Sequence, residues 1–186
     1  MQVLADVKTL RLSGWRAFGA SLIGAGLMAV CAQLAFYLPG KPVPITMQVF
    51  AVVCCALVLG GRWAAMAQME YLLAGLMGAP VFAVVKAGPL AFAGPSAGYL
   101  IGFVPMAYVI GTLFERSARR DTASAIVAGL AGVCALYLFG VMWLAVGYGT
   151  MFPGVGAWVV GVAPFVGVDV VKVTAAAILC VGRRCR

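Results

Sequence analysis

Residues 122–146 read TASAIVAGLAGVCALYLFGVMWLAV, an apolar stretch that contains no charged side chain. A helix that crosses the hydrocarbon core of a bilayer needs about 20 consecutive apolar residues. The rest of the chain has the same character, because 65% of its 186 residues are hydrophobic and only 10% are charged. This composition predicts an integral membrane protein whose short connections leave no room for a soluble domain.

The predicted architecture is an all-α bundle of six transmembrane helices, with short re-entrant or capping loops on the outer side. It forms a single transmembrane domain over residues 1–186, in which residues 1–15 are a cytoplasmic N-terminal segment. The predicted spans are residues 17–38, 47–60, 63–77, 96–114, 122–146 and 168–181.

Two predicted spans, 47–60 and 168–181, are short. Each covers only about 21 Å as a helix, against roughly 30 Å of hydrocarbon. Non-helical backbone is tolerated at membrane depth where it lines a cavity, and short or interrupted segments point to a binding site. The sequence therefore predicts a pocket, roofed by the glycine- and proline-rich connections 39–46, 78–95 and 147–167.

The net charge of +8 lies at the ends of the apolar segments. This placement argues against nucleic-acid binding and follows the rule that cationic residues mark the cytoplasmic side of a membrane protein. The two cations in predicted outer connections are Lys41 and Lys86. The predicted inner cations are Lys8, Arg11, Arg16, Arg62, Arg116, Arg119, Arg120, Arg183, Arg184 and Arg186. Both termini are therefore predicted to lie in the cytoplasm, on either side of six membrane spans.

The residue inventory offers little for catalysis or metal binding. The chain has no histidine, no Cys-x-x-Cys pair and no Walker-type loop, which argues against a transition-metal site, against a histidine-activated nucleophile and against ATP hydrolysis by this chain. We expect neither an enzyme nor a bound cofactor. The six cysteines are predicted to stay reduced, within spans or at the cytoplasmic end: Cys31, Cys54, Cys55, Cys134, Cys180 and Cys185.

Two charged residues interrupt the last apolar segment, in the stretch GVDVVKV at 167–173. Asp169 and Lys172 are three residues apart, so a helix places them on one face. Ionisable groups inside a bilayer are costly and usually pair with one another, face a cavity or serve a ligand. A self-neutralised structural pair and a ligand site are both open at this point. Glu70 is the other acid within an apolar segment, and we expect it to make a polar contact between helices.

Small residues follow one side of the first span at spacings of three and four. They are Ala17, Ala20, Gly24, Ala25, Ala29 and Ala32. Small residues at this spacing let another helix approach closely. That helix is either a neighbour within the bundle or part of a partner protein.

Four motifs together resemble the BioY family, the biotin-binding S components of energy-coupling factor transporters. They are PVPITMQ at 42–48, GAPVFA at 78–83, GPSAGYLIGF at 94–103 and PFVGVDVVK at 164–172. The resemblance implies a six-helix fold with an outward-facing vitamin pocket. It also implies biotin as the ligand, and a transmembrane T component and ATPase subunits as the partners that alone use ATP. The rival functions are an S component for another vitamin, such as thiamin or riboflavin, and a non-transporting helical scaffold.

The resemblance also implies which residues act. Asp169 and Lys172 belong to the binding site, where the acid suits the ureido N–H groups of biotin. Lys172 suits either the ureido carbonyl or the tail carboxylate, and the sequence does not decide between them. The aromatic residue of the third motif is Tyr99. On the first helix, Ala25 and Ala29 are the residues expected to dock onto the T component.

The second motif departs from the family pattern, which commonly continues after Phe-Ala with glycine or asparagine. Here Val84, Val85 and Lys86 follow Phe82 and Ala83. We therefore expect Val84 to make no polar contact with the ligand and Lys86 to make one instead. In the third motif, Ser96 stands where threonine is usual and keeps the hydroxyl. The predicted substrate-binding residues are Asp169, Lys172, Tyr99, Lys86, Phe82 and Ser96.

Overall fold

The structure is a computed structural model that describes residues 14–37, 43–151 and 156–182. Several predicted features lie outside these residues: the segment 1–13, Lys8, Arg11, Lys41, Cys185, Arg183, Arg184 and Arg186. Within them, the helices are α1 (Trp15–Gln33), α2 (Gln48–Leu59), α3 (Gly61–Leu76), α4 (Ala97–Arg116), α5 (Thr122–Gly147), α6 (Gly156–Gly161) and α7 (Val166–Cys180). The strands are β1 (Ala35–Phe36) and β2 (Ile45–Thr46), and short 3₁₀ segments cover Ala83–Val85 and Pro89–Ala93.

Each predicted span coincides with one helix, with the ends shifted by a few residues: α1, α2, α3, α4, α5 and α7 in order. The largest error is in the first span, because α1 ends at Gln33 and not at residue 38. Beyond it, Ala35 pairs with Thr46 and Phe36 with Ile45 in an antiparallel ribbon. The backbone groups of this segment are thus satisfied by a second chain segment and not by a further helical turn.

Four helical stretches of the described chain are long and apolar enough to cross a membrane: Trp15–Gln33, Ala97–Arg116, Thr122–Gly147 and Trp158–Cys180. The chain is therefore a multi-pass, predominantly helical membrane protein. With 12 and 16 residues, α2 and α3 reach only about 18 and 24 Å. These lengths fall short of the roughly 30 Å of hydrocarbon, so six complete crossings stay a prediction.

The hairpin of α2 and α3 turns at Gly60, whose φ of 80° favours glycine. The next residue, Gly61, lies directly against Gly111 of α4, where an added Cβ would overlap the Gly61 backbone. Any side chain on Gly111 would separate the two segments. This close approach lets the short helices α2 and α3 pack against the longer helix α4.

The face of α7 that packs into the bundle contains both of its charged residues. Asp169, Lys172, Val173 and Ala176 recur at helical spacing and are buried, whereas Val171 on the opposite side is exposed. At Gly129 of α5, an added Cβ would lie 2.5 Å from Cγ1 of Val173, so this glycine permits α5 and α7 to approach. The prediction that Asp169 and Lys172 share one helix face is confirmed.

Polar contacts between helices follow the sequence-based expectation at Glu70. The hydroxyl of Ser21 on α1 lies 2.7 Å from Oε1 of Glu70 on α3 and donates a hydrogen bond to it. The described cysteines form no disulfide; Cys31, Cys54 and Cys55 are buried in the core. At the start of α5, the backbone N–H of Ser124 donates to the Asp121 carboxylate at 2.9 Å, which caps the helix and lowers the pKa of that carboxyl.

The small residues of α1 divide between two environments. Ala17, Gly24 and Ala32 are buried, and a Cβ on Gly24 would lie 3.1 Å from that of Ala67 on α3. These positions therefore serve packing within the bundle. Ala25 and Ala29 are only half-buried, at the edge of the packed face. They remain our predicted docking positions.

Candidate functional site

A cavity opens at the end of the bundle that carries the β1 and β2 ribbon. It encloses about 700 Å³, including the space at its open mouth. Its walls come from α2, α4, α5 and α7, and its roof from the connections before α2, between α3 and α4, and before α7. The predicted convergence of three connections on one pocket is confirmed.

All six predicted substrate-binding residues line this cavity: Asp169, Lys172, Tyr99, Lys86, Phe82 and Ser96. They come from one connection, between α3 and α4, and from the two helices α4 and α7, so only the folded chain brings them together. Their role in binding stays a prediction, whereas their common location is a property of the fold.

Asp169 and Lys172 form a buried ion pair on the cavity wall. The ammonium of Lys172 donates to Oδ1 of Asp169 at 2.8 Å, and the lysine and the aspartate are only 6% and 3% exposed. Each charge neutralises the other, which reduces the penalty of holding it in an apolar bundle. One hydrogen bond uses only part of their capacity, because a carboxylate has about four acceptor sites and an ammonium has three donors. The pair is therefore self-neutralised and keeps hydrogen-bonding capacity for further partners.

A third polar group completes this cluster, and no motif in the sequence predicts it. The hydroxyl of Tyr137, in the middle of α5, donates to Oδ2 of Asp169 at 2.8 Å. Tyr137 is buried and lines the cavity. A tyrosine within an apolar span is equally compatible with a lipid-facing position, so no pattern in the chain singles it out.

The connection between α3 and α4 contributes Phe82 and Lys86 to the roof of the cavity. Phe82 is 2% exposed and packs edge-on against Tyr71 and Phe92, with ring centroids 5.5 and 5.6 Å away. A Cβ on Gly75 would overlap the Phe82 ring, so glycine is needed beneath the ring. Four residues later, Lys86 is exposed and contributes the second cation of the cavity lining.

The turn between Phe82 and Lys86 has an unusual backbone. Val84 has φ 61° and ψ 40°, and Val85 has φ 56°, both in the left-handed region that β-branched residues rarely adopt. The side-chain amide of Gln33, at the end of α1, holds this turn. It accepts a hydrogen bond from the Val85 N–H and donates one to the Phe82 carbonyl, both at 3.2 Å. The departure from glycine or asparagine thus falls where those residues fit best.

Tyr99 combines two roles in the wall. Its ring faces the cavity, and its hydroxyl donates to the Gly161 carbonyl at 2.6 Å. The hydroxyl therefore holds the connection before α7 in place, and the ring supplies the apolar surface. Gly140 leaves room for this ring, since a Cβ there would overlap it.

Two further polar residues of the lining belong to the first motif. The amide of Gln48, at the start of α2, donates to the Tyr71 hydroxyl at 3.0 Å and accepts from the Thr46 hydroxyl at 3.0 Å. The Tyr71 hydroxyl in turn donates to the Val81 carbonyl at 3.2 Å. This chain of hydrogen bonds joins the first and second connections. A glutamine at the head of an apolar span was the sequence signal that could have revealed it.

Among the described residues, no cluster of three or more His, Cys, Asp or Glu side chains could hold a metal ion. The cavity lining offers hydrogen-bonding groups and positive charge. Asp169 is the acid in its lining, Lys172 and Lys86 are its cations, and most of the remaining wall is apolar or aromatic.

Comparison with known proteins places this geometry in a family. The profile of the BioY family matches residues 6–185. A biotin transporter BioY of Thermotoga maritima is 37% identical over 160 residues, which cover 85% of this chain and 92% of that protein. A biotin transporter BioY of Rhizobium etli is 36% identical over 169 residues, covering 87% and 86% of the two chains. The crystal structure of the S component for biotin from an ECF-type ABC transporter shares the fold, with a TM-score of 0.81, 20% identity and coverage of 92% of both chains. Because the family match extends over nearly the whole sequence, the chain belongs to the BioY family.

Proposed function

We propose that this chain binds biotin with high affinity and acts as the substrate-capture (S) component of an energy-coupling factor transporter. Relatives that cover most of its length are named biotin transporters. The observation that carries the proposal is the buried pair of Asp169 and Lys172 at the wall of a cavity that all six predicted binding residues line. Charged groups at membrane depth are retained where they serve a ligand or a pathway.

The ureido ring of biotin fits this pair. Along each edge of the ring an N–H donor stands beside the carbonyl acceptor. Asp169 and Lys172 present the complementary sequence, an acceptor beside a donor, 2.8 Å apart. We therefore assign Lys172 to the ureido carbonyl and Asp169 to a ureido N–H. Phe82 and Tyr99 supply apolar walls for the thiophane ring.

The carboxylate tail then points to the mouth of the cavity. Lys86 is the cation available there, because Lys172 is buried and engaged with Asp169. This assignment makes Lys86 the anion partner, a role that the apolar side chain of Val84 cannot fill. Val84 is half exposed and stands outside the cavity lining.

The transport cycle requires partners, because the proposed role of this chain is capture. A transmembrane T component would dock on α1 at Ala25 and Ala29, and separate ATPase subunits would use the ATP. The cavity would open to the outside of the bacterial cytoplasmic membrane, with both termini in the cytoplasm and six helices crossing the bilayer. The distribution of cations supports this orientation.

Labelled-biotin binding to the purified chain tests the proposal. Asp169→Asn replaces a charged acceptor by a neutral amide, and Lys172→Met removes a charged donor. Hydrogen bonds to charged groups contribute about 1.5 to 3 kcal/mol, so each variant should bind biotin roughly ten to a hundred times more weakly. Asp121→Asn is the matched control, because asparagine caps a helix about as well and Asp121 is remote from the cavity lining.

Thermal unfolding in detergent must accompany the binding measurement, since removing one partner leaves the other charge buried. If the pair only neutralises itself, the double variant Asp169→Asn with Lys172→Met would stay folded and bind biotin normally, and the proposal would fail. Co-purification of thiamin or riboflavin in place of biotin would favour the same transporter role with another vitamin. Absence of any small-molecule ligand, with function surviving Asp169→Asn, would favour a scaffold.

A further inference from the structure

The buried hydroxyl of Tyr137 on α5 contacts the charged pair of Asp169 and Lys172 on α7. Its side chain belongs to the packed face of α5, which also contains Gly129, Val133 and Leu136. The residue is 8% exposed, and its hydroxyl reaches Oδ2 of Asp169, whereas Lys172 binds Oδ1. The two oxygens of Asp169 are thus held by different partners.

The position of Asp169 explains why a second partner matters. It lies in the first turn of α7, which begins at Val166 after an irregular connection. Lys172 holds Oδ1 from the next turn of the same helix, through a long side chain with several rotatable bonds. Tyr137 is anchored instead in the long helix α5 and has only two side-chain torsions. Its hydrogen bond ties the carboxylate to a different part of the bundle.

This contact leaves acceptor capacity for a ligand. Two hydrogen bonds occupy two of about four acceptor sites on the carboxylate. When the ammonium of Lys172 turns one of its N–H groups to a ligand carbonyl, the bond from Tyr137 still fixes the direction in which Asp169 faces the cavity.

We infer that Tyr137 is a positioning residue for ligand recognition, which orients the Asp169 carboxylate towards the ureido N–H. The inference rests on the proposed biotin-binding function and concerns the same site. It attributes the effect of Tyr137 to its hydroxyl acting through Asp169, and not to the packing of its ring.

The test is a double-mutant cycle on the full chain in detergent, with labelled biotin as the probe. Tyr137→Phe removes the hydroxyl and keeps the ring. We expect biotin binding to weaken about tenfold, the fold-change for loss of one hydrogen bond to a charged group. In the Asp169→Asn background the same change should weaken binding less than about twofold, because residues that act as a unit are not additive. Tyr108→Phe, on the exposed face of α4, is the matched control and should bind like the unmodified chain.

Each outcome decides the question. Equal affinity of Tyr137→Phe and the unmodified chain overturns the inference, as does a similar loss in both backgrounds, which would indicate ring packing. If Tyr137→Phe fails to fold, recovery of folding in the double variant Tyr137→Phe with Asp169→Asn supports the link to the carboxylate, and failure of both overturns it. Failure of the proposed function is distinguishable, because the unmodified chain would then not bind biotin.

Discussion

Because the backbone of Val84 is left-handed, we expect glycine at this position to give a more stable protein than alanine, the reverse of the usual order. At an ordinary helical position, glycine lowers the free energy of unfolding by about 0.5 to 1 kcal/mol relative to alanine, because it loses more backbone entropy on folding. At φ 61° and ψ 40° the Cβ of any L-residue instead adds about 1 to 2 kcal/mol of strain. The strain exceeds the entropy difference. Val84→Gly should therefore be more stable than Val84→Ala, by roughly 0.5 to 1 kcal/mol.

Val84→Asn should also exceed Val84→Ala in stability, since asparagine adopts left-handed conformations more readily than other residues with a side chain. The comparison with alanine, not with valine, isolates the Cβ because both variants lose the same half-exposed valine methyls. Thermal unfolding in detergent measures the effect, and for about 150 to 250 residues 1 kcal/mol shifts Tm by roughly 2 to 4 °C.

A matched pair of variants provides the control for this experiment. Val127 lies on α5 with a 68% exposed side chain, so glycine there should be less stable than alanine by about 1 kcal/mol. The order of stability between glycine and alanine should therefore reverse between positions 127 and 84. If alanine is the more stable residue at both, Val84 does not have a left-handed backbone, and our account of the turn that Gln33 holds is wrong.

Two further predictions concern topology and partner docking. In a cysteine-free background, a single cysteine replacing Lys86 should react with an impermeant maleimide in intact cells, whereas one replacing Arg119 should not; the reverse labelling pattern would overturn the orientation that the cations predict. Replacing half-buried Ala25 or Ala29 with leucine should hinder the approach of a partner helix, so that transport by the assembled complex falls while biotin affinity of the isolated chain stays nearly unchanged. Loss of affinity in these variants would assign both alanines to packing within the bundle.

The membrane class, the helical segments and the shared face of Asp169 and Lys172 followed from the sequence, because each depends on local properties. Hydropathy over about 20 residues marks a span, and a spacing of three places two side chains on one side of a helix. The motifs at 42–48, 78–83, 94–103 and 164–172 also named residues that the fold gathers around one cavity. The end of the first helix was misjudged, because the pairing of Ala35 with Thr46 depends on a segment that returns from farther along the chain.

Only the tertiary structure decided how the charged pair is held and how the cavity is roofed. Tyr137 and Asp169 are 32 positions apart, and Val85 and Gln33 are 52 apart. Contacts at such separations depend on which helices pack together. In an apolar bundle, many helix faces have similar hydropathy, so hydropathy does not determine which of them pack against each other. The small residues decide among them: Gly129 lets α5 approach α7, and that approach brings the Tyr137 hydroxyl to the carboxylate. Close packing of backbones thus selects the polar contacts that hydropathy alone leaves undetermined.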